Sequence, residues 1–231
     1  MTAGAKRGSL EEERVQTRRI AEGNHRARAV FLDRDGTLIQ EVGYLSRLDD
    51  VHIYPWTAEA IRRLNQAGLL TIVVTNQGGV GKGIYTEELV EQVHEKIARE
   101  LAEQGARLDA FCYCPHHPEA SLPAYRVECR CRKPAPGMVE EAVKRFKIDL
   151  SSSYIVGDTG RDMQLGFNTG LRTILVMTGY GAGEYESQRH VWPRPPDWIA
   201  ENLLEGVEKI LAERARHVPA SGQNLLAPDN L

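Results

Sequence analysis

The chain has 231 residues, 42% of them hydrophobic and 26% charged, with a formal net charge of −3. That length suffices for one α/β domain with a sizeable core. A weakly acidic chain has no broad positive field for nucleic acid or an anionic membrane, and no apolar run approaches the ~20 residues that span a bilayer.

Residues 1–26 are polar and highly charged, with Glu11, Glu12 and Glu13 and no apolar stretch of the kind that directs secretion. They predict a tail on a cytoplasmic protein. In that compartment the four cysteines read as metal ligands or free thiols rather than disulfides. Short apolar runs at 29–32, 69–74, 110–113, 154–156 and 173–176 predict strands buried on both faces. Helical spacing fills the gaps. Ile61 and Leu64 mark 58–66. Leu89, Val90, Val93, Ile97 and Leu101 mark 86–102, with Thr86 as N-cap before Glu87 and Glu88. Further helices are expected over 138–146, 162–168 and 203–212. Residues 217–231, rich in Pro, Ser, Gly and Asn, predict a second tail. The domain between the tails, 27–216, should be a Rossmann-like parallel sheet with helices on both faces. Ligands of such sheets sit beyond the carboxyl ends of the strands, so the polar residues there matter most.

The first strand runs into Asp33-Arg34-Asp35-Gly36-Thr37. Side chains two apart on an extended chain face the same way, so Asp33 and Asp35 can converge. Gly36 allows a sharp turn, and Thr37 can brace it by hydrogen bonding. One carboxylate can attack phosphorus while the other moves a proton, or the segment is an Asp-Gly turn with solvated acids. The second strand leads to Thr75-Asn76-Gln77-Gly78-Gly79, a hydroxyl before a glycine-rich turn that can bind phosphate oxygens. Arg132 and Lys133 precede the helix at 138 and can neutralise a phosphate. After the fourth strand, Asp158 stands where a magnesium ligand would face Asp33, followed by Thr159 and by Asp162. Asp162 can cap the next helix and can orient Asp158 and the waters of the metal.

Cys114 and His116, then Cys129 and Cys131, offer three thiolates and an imidazole. That set suits a closed tetrahedral zinc site with a structural role, bracing a loop at about 112–133 that has too little apolar content to fold alone. Cys112 and His117 are the competing side chains. Cys112 reads as a small buried hydrophobe and His117 as a loop or pocket histidine.

The ordered set Asp-x-Asp-Gly-Thr, Thr75, Lys133 and Gly-Asp-x-x-x-Asp resembles the aspartate-nucleophile phosphatases of the haloacid dehalogenase superfamily, over roughly residues 28–181. The resemblance implies Asp33 as nucleophile and Asp35 as general acid and base. It implies Thr75 and Lys133 as stabilisers of the phosphoryl group. Magnesium would be held by Asp33, Asp35 (through its carbonyl) and Asp158. Cys-Pro-His-His-Pro and Cys-x-Cys-Arg-Lys-Pro-x-Pro-Gly-Met narrow the likeness to heptose 1,7-bisphosphate 7-phosphatases, with histidinol-phosphate phosphatases as near relatives. Glu41, Val42, Gly43, Tyr44, Asn76, Gln77, Gly78 and Thr159 would then line the substrate, and Arg132 would grip its second phosphate. Lys82, Thr159 and the pair Glu41-Val42 depart from that pattern and leave the sugar and its anomer open. No inserted helical domain is evident after Thr37 or between Thr75 and Lys133, so a capless architecture is expected. The resemblance implies action on a small phosphorylated sugar in the making of nucleotide-activated heptose, and a monomer is expected. A zinc-stabilised binding protein without catalysis is the rival from another class.

Overall fold

A computed structural model describes residues 26–216, so the two expected tails, Arg26 aside, lie outside the described residues. Six strands are present among these residues: β1 (Ala29–Leu32), β2 (Leu70–Asn76), β3 (Ala110–Cys114), β4 (Tyr154–Gly157), β5 (Arg172–Val176) and β6 (Trp198–Ala200). They form one parallel sheet in the order β3-β2-β1-β4-β5-β6. Six α-helices accompany it: α1 (Thr57–Gln66), α2 (Glu87–Ala102), α3 (Gly137–Phe146), α4 (Gly160–Thr169), α5 (Gly181–Gln188) and α6 (Leu203–Arg216).

Strand periodicity divides the core into two layers. Val30 and Leu32 of β1 point to one face, with Val73, Val156 and Ile174 beside them. Ile61 and Leu64 of α1, Val93 and Ile97 of α2, and Val207 and Ile210 of α6 cover that face. Ala29 and Phe31 point the other way, with Ile72 and Ile155, beneath Met138 and Val139 of α3 and Leu165 of α4. The central strands are therefore apolar on both sides, and this is why they read as continuous hydrophobic runs.

The five expected strands and five expected helices are all present. Thr86 caps α2, its Oγ1 accepting from the Leu89 N–H at 3.3 Å. β6 and α5 were not expected. β6 has three residues and follows a proline-rich stretch, too short to show a pattern. α5 buries only Gly181, so it carries no apolar stripe. α4 begins at Gly160, two residues before Asp162, and α6 runs on to Arg216.

The strand order reverses between β1 and β4, which opens a crevice at their carboxyl ends. Leu32 pairs with Val73 on one side and Val156 on the other. Asp33, Thr75 and Asp158 thus leave the sheet at nearly the same level, and no separate helical domain lies over them among the described residues.

Candidate active site

Asp33 continues β1, its N–H donating to the Val156 carbonyl at 2.9 Å. The chain then turns at Gly36, whose φ is +77°. A methyl group at Gly36 would overlap the Asp158 carboxylate, and one at Gly179 (φ +55°) would overlap the same carboxylate and the Gly36 Cα. Asp158 thereby packs against two glycines. Thr178 Oγ1 donates to the Gly36 carbonyl at 2.6 Å, and the Tyr180 N–H donates to Asp158 Oδ2 at 2.8 Å. The brace expected from Thr37 comes instead from Thr178, since Thr37 Oγ1 is buried without a hydrogen-bond partner.

Asp33, Asp158 and Asp162 are buried together, with one oxygen of each within 4.8 Å of the others. Lys133 reaches between them, with its Nζ 2.8 Å from Asp33 Oδ1 and 2.6 Å from Asp162 Oδ1. Burial raises the Asp33 carboxyl, and the Asp162 charge adds to it against the pull of Lys133. Burial also raises Asp158, reinforced by Asp33 and Asp162. Burial alone would lower Lys133, but Asp162 and Asp33 outweigh it and hold the ammonium charged. When all three carboxyls are ionised they exceed the one ammonium by two negative charges, and Asp158 Oδ1 is buried with no hydrogen-bond partner. A divalent, oxygen-seeking cation fits both facts. Asp162 lies close enough to Asp158 for its charge to act on it, and its hydrogen bonds go elsewhere. Its Oδ2 accepts the Thr159 N–H (3.1 Å) and hydroxyl (2.6 Å), so it serves as the third residue of the α4 cap and as an anchor for Lys133.

Asp35 is gripped by the preceding arginine. Arg34 Nε and Nη2 donate to its two carboxylate oxygens at 3.1 and 3.0 Å, and Gln77 Nε2 donates to Oδ2 at 2.8 Å. Arg34 is wholly buried, and its Nη1 lies 3.4 Å from His94 Nε2. An arginine only donates, so that nitrogen of His94 accepts. Burial and then the Arg34 charge push His94 down to about 3, so the ring is neutral, stacked on Phe111. Gln77 Nε2 also donates to Thr75 Oγ1 at 2.9 Å, while its Oε1 accepts from the Tyr85 hydroxyl at 2.8 Å.

Asn76 holds Lys133 by its backbone, accepting from the Lys133 N–H at 2.9 Å and donating to its carbonyl at 3.1 Å. Just upstream, Cys114, His116, Cys129 and Cys131 converge, with one donor atom of each within 4.8 Å of the others. Cys114 Sγ is 3.1 Å from Cys131 Sγ and 3.5 Å from Cys129 Sγ, and His116 Nδ1 is 3.3 Å from Cys131 Sγ. The sulfurs are far beyond the ~2.05 Å of a disulfide, and the four atoms approach the edges of a tetrahedron with ~2.3 Å metal–sulfur bonds. Cys112 stays outside the group. Burial raises it to about 11, as for an inert thiol.

The cavity above Asp33 has a volume of ≈ 370 Å³. Of the expected side chains, Asp33, Asp35, Glu41, Gly43, Tyr44, Thr75, Asn76, Gln77, Gly78, Lys133, Asp158 and Thr159 line it. Val42 is not among them and is exposed. Arg132 also lies elsewhere, in an adjoining cleft, where its Nη1 donates to the His116 carbonyl at 2.9 Å. Burial lowers His117, and the Arg132 and Lys82 charges lower it further. Sequence reasoning missed Arg34, Tyr85, Arg161, Tyr180 and Glu184, all of which line the cavity. Arg34 had a signal, being a cation between two acids. Tyr180 follows a strand just as Asp33 does, in the glycine-rich stretch after β5. His94, behind Arg34, lies on the apolar stripe of α2 and had none.

The sheet order and the Asp33–Lys133–Asp158 constellation define a phosphatase of the haloacid dehalogenase type. Residues 130–206 match the family model of HAD-hydrolase-like proteins. The chain is 40% identical over 186 residues to a D-glycero-beta-D-manno-heptose-1,7-bisphosphate 7-phosphatase of Yersinia pestis, a span of 80% of this chain and 95% of that one. It is 42% identical over 192 residues to a D-glycero-D-manno-heptose-1,7-bisphosphate 7-phosphatase of Thermosynechococcus vestitus, covering 81% and 97%. The solved D,D-heptose 1,7-bisphosphate phosphatase of B. bronchiseptica, complexed with magnesium and phosphate, superposes with a TM-score of 0.71 at 32% identity, over 80% of this chain and 99% of that one. This chain belongs to the heptose 1,7-bisphosphate 7-phosphatase family and is a phosphoric monoester hydrolase.

Proposed function

We propose that residues 27–216 form a magnesium-dependent phosphatase domain that removes the 7-phosphate of D-glycero-D-manno-heptose 1,7-bisphosphate. The observation that carries the chemistry is the seat of Asp33. Its Oδ1 takes both the Lys133 ammonium and the Arg34 N–H (2.7 Å), and its Oδ2 accepts no hydrogen bond among the described residues. Oδ2 is then the free nucleophile.

Asp33 attacks phosphorus, and the P–O bond to the sugar breaks. Asp35, held in orientation by Arg34 and Gln77, gives its proton to the departing oxygen. The same carboxylate then takes a proton from the water that attacks the Asp33 phosphoryl ester, releasing phosphate and restoring the nucleophile. Thr75 Oγ1 already accepts from Gln77, which leaves its own proton for a phosphoryl oxygen. Lys133 has a third proton beyond those on Asp33 and Asp162. Magnesium would be held by Asp33, Asp158 and the Asp35 carbonyl, and would neutralise charge on the phosphoryl oxygens. Zinc on Cys114, His116, Cys129 and Cys131 would fix the loop that carries Arg132, the reader of the second phosphate. Glu41, Gly43, Tyr44, Asn76, Gln77, Gly78 and Thr159 would meet the sugar, with Val42 at the exposed edge of that loop. Such an enzyme works as a monomer in the cytoplasm, supplying nucleotide-activated heptose synthesis. No helix among the described residues is long and apolar enough to cross a membrane.

The test is phosphate release with magnesium from heptose 1,7-bisphosphate, histidinol phosphate and fructose 1,6-bisphosphate, with Asp33→Asn as control. The heptose ester should give the highest kcat/KM, and the variant should be inactive on all three. A preference for histidinol phosphate, or an active Asp33→Asn, would sink the reading.

A further inference from the structure

The catalytic cavity adjoins a cleft of ≈ 880 Å³ beneath the cysteine–histidine loop. Two residues line both spaces, Lys133 and Arg161. Lys133 is committed to Asp33 and Asp162. Arg161 is exposed and forms no ion pair among the described residues.

Arg161 is the second residue of α4, at the positive end of the helix. A cation there opposes the helix dipole, and stability alone favours an acid. A local rule broken without a structural return is the mark of a functional position. The position is also rigid. The Gly160 N–H donates to Glu184 Oε2 at 2.7 Å, and a methyl group at Gly160 would press on the Trp192 indole. Arg161 is thereby fixed three residues past Asp158, in register with the reaction centre.

Arg132 lines the same cleft, its guanidinium held by a carbonyl rather than a carboxylate. The acids of the cleft, Glu119 and Glu128, pair with neither arginine. A phosphate monoester carries about −1.5 to −2 charges at neutral pH, more than one guanidinium neutralises.

We propose that Arg161 is a specificity-determining residue that shares the second phosphate of the substrate with Arg132, at the junction of the two cavities. This rests on the bisphosphate reading given above. The fork of each guanidinium can take two phosphate oxygens, which a lysine ammonium does less well.

The test compares wild type, Arg161→Ala and Arg161→Lys on heptose 1,7-bisphosphate and on heptose 7-phosphate, which lacks the second phosphate. In Arg161→Ala the ratio of kcat/KM for bisphosphate over monophosphate should fall roughly tenfold, through KM. Arg161→Lys should recover part of it. The Tm of Arg161→Ala should hold or rise, because a cation has left the positive end of α4. If wild type prefers the bisphosphate and Arg161→Ala keeps that preference, this inference fails while the substrate reading stands. If wild type shows no preference, both fail. Equal loss on both substrates with a lowered Tm would make Arg161 structural and overturn the proposal.

Discussion

Gly36 shows how narrow the tolerance of this site is at the scale of one residue. Its φ of +77° disfavours any side chain, and the space where a Cβ would go holds the Asp158 carboxylate. Gly36→Ala should cost about 1–3 kcal/mol in backbone strain alone. It should also lower turnover ~100-fold or more, because the displaced carboxylate is one of those proposed to hold magnesium. Urea unfolding and steady-state kinetics with magnesium check both. A wild-type turnover would show that Asp158 can move without loss. At this scale the sequence was informative where function demands a fixed residue type. Asp33, Asp35, Thr75, Lys133 and Asp158 were all singled out in the sequence, and all line the cavity. The parts played by Asn76, Gln77 and Asp162 were not legible, because an amide or carboxylate gives no sign in sequence of which partner it will meet. Asn76 and Asp162 proved to be the supports of Lys133.

Among the elements, the cysteine–histidine loop has the clearest separable role. Cys114 ends β3, and Arg132 follows Cys131 directly and donates to the His116 carbonyl. With zinc on these four side chains, as proposed, its removal should loosen Arg132 before it disturbs Asp33. Protein stripped by a strong zinc chelator and resupplied with magnesium should show a KM for the bisphosphate raised roughly tenfold, with kcat less affected. An unchanged KM would separate the loop from recognition. Elements whose apolar pattern is complete, such as β1 and α2, were legible. α5 and β6 were not, because α5 buries one glycine and β6 has three residues. The loop before α5 still supplies Tyr180 and Thr178 to the site, so the reading lost a wall of the cavity with those elements.

For the whole molecule, the buried acids make stability depend on pH and metal. Asp33 and Asp158 have raised proton affinities in the fold, chiefly from burial. A raised carboxyl favours the fold at low pH and works against it as pH climbs through the raised values. His94 runs the other way, since its folded value near 3 costs stability only as pH drops below its ordinary 6.5. Above about pH 6.5 His94 no longer contributes and the buried carboxylates dominate, so the Tm of magnesium-free protein with its cysteine–histidine cluster intact should fall by roughly 2–8 °C by about pH 8.5. Saturating magnesium should flatten that slope. Differential scanning calorimetry at several pH values decides it, and a magnesium-free Tm that rises over this range would reverse the sign.

Lys133 meets its support through Asn76, 57 residues earlier in the chain, and through Asp162, 29 residues later. Asn76 offers the lysine both a donor and an acceptor, as a neighbouring strand would. The nucleophile therefore gains its counter-charge only when segments from both halves of the sheet have closed large loops. Catalytic activity should therefore return late in refolding, reporting the joining of the two halves rather than the formation of either; activity that returns before the two halves pack would refute this.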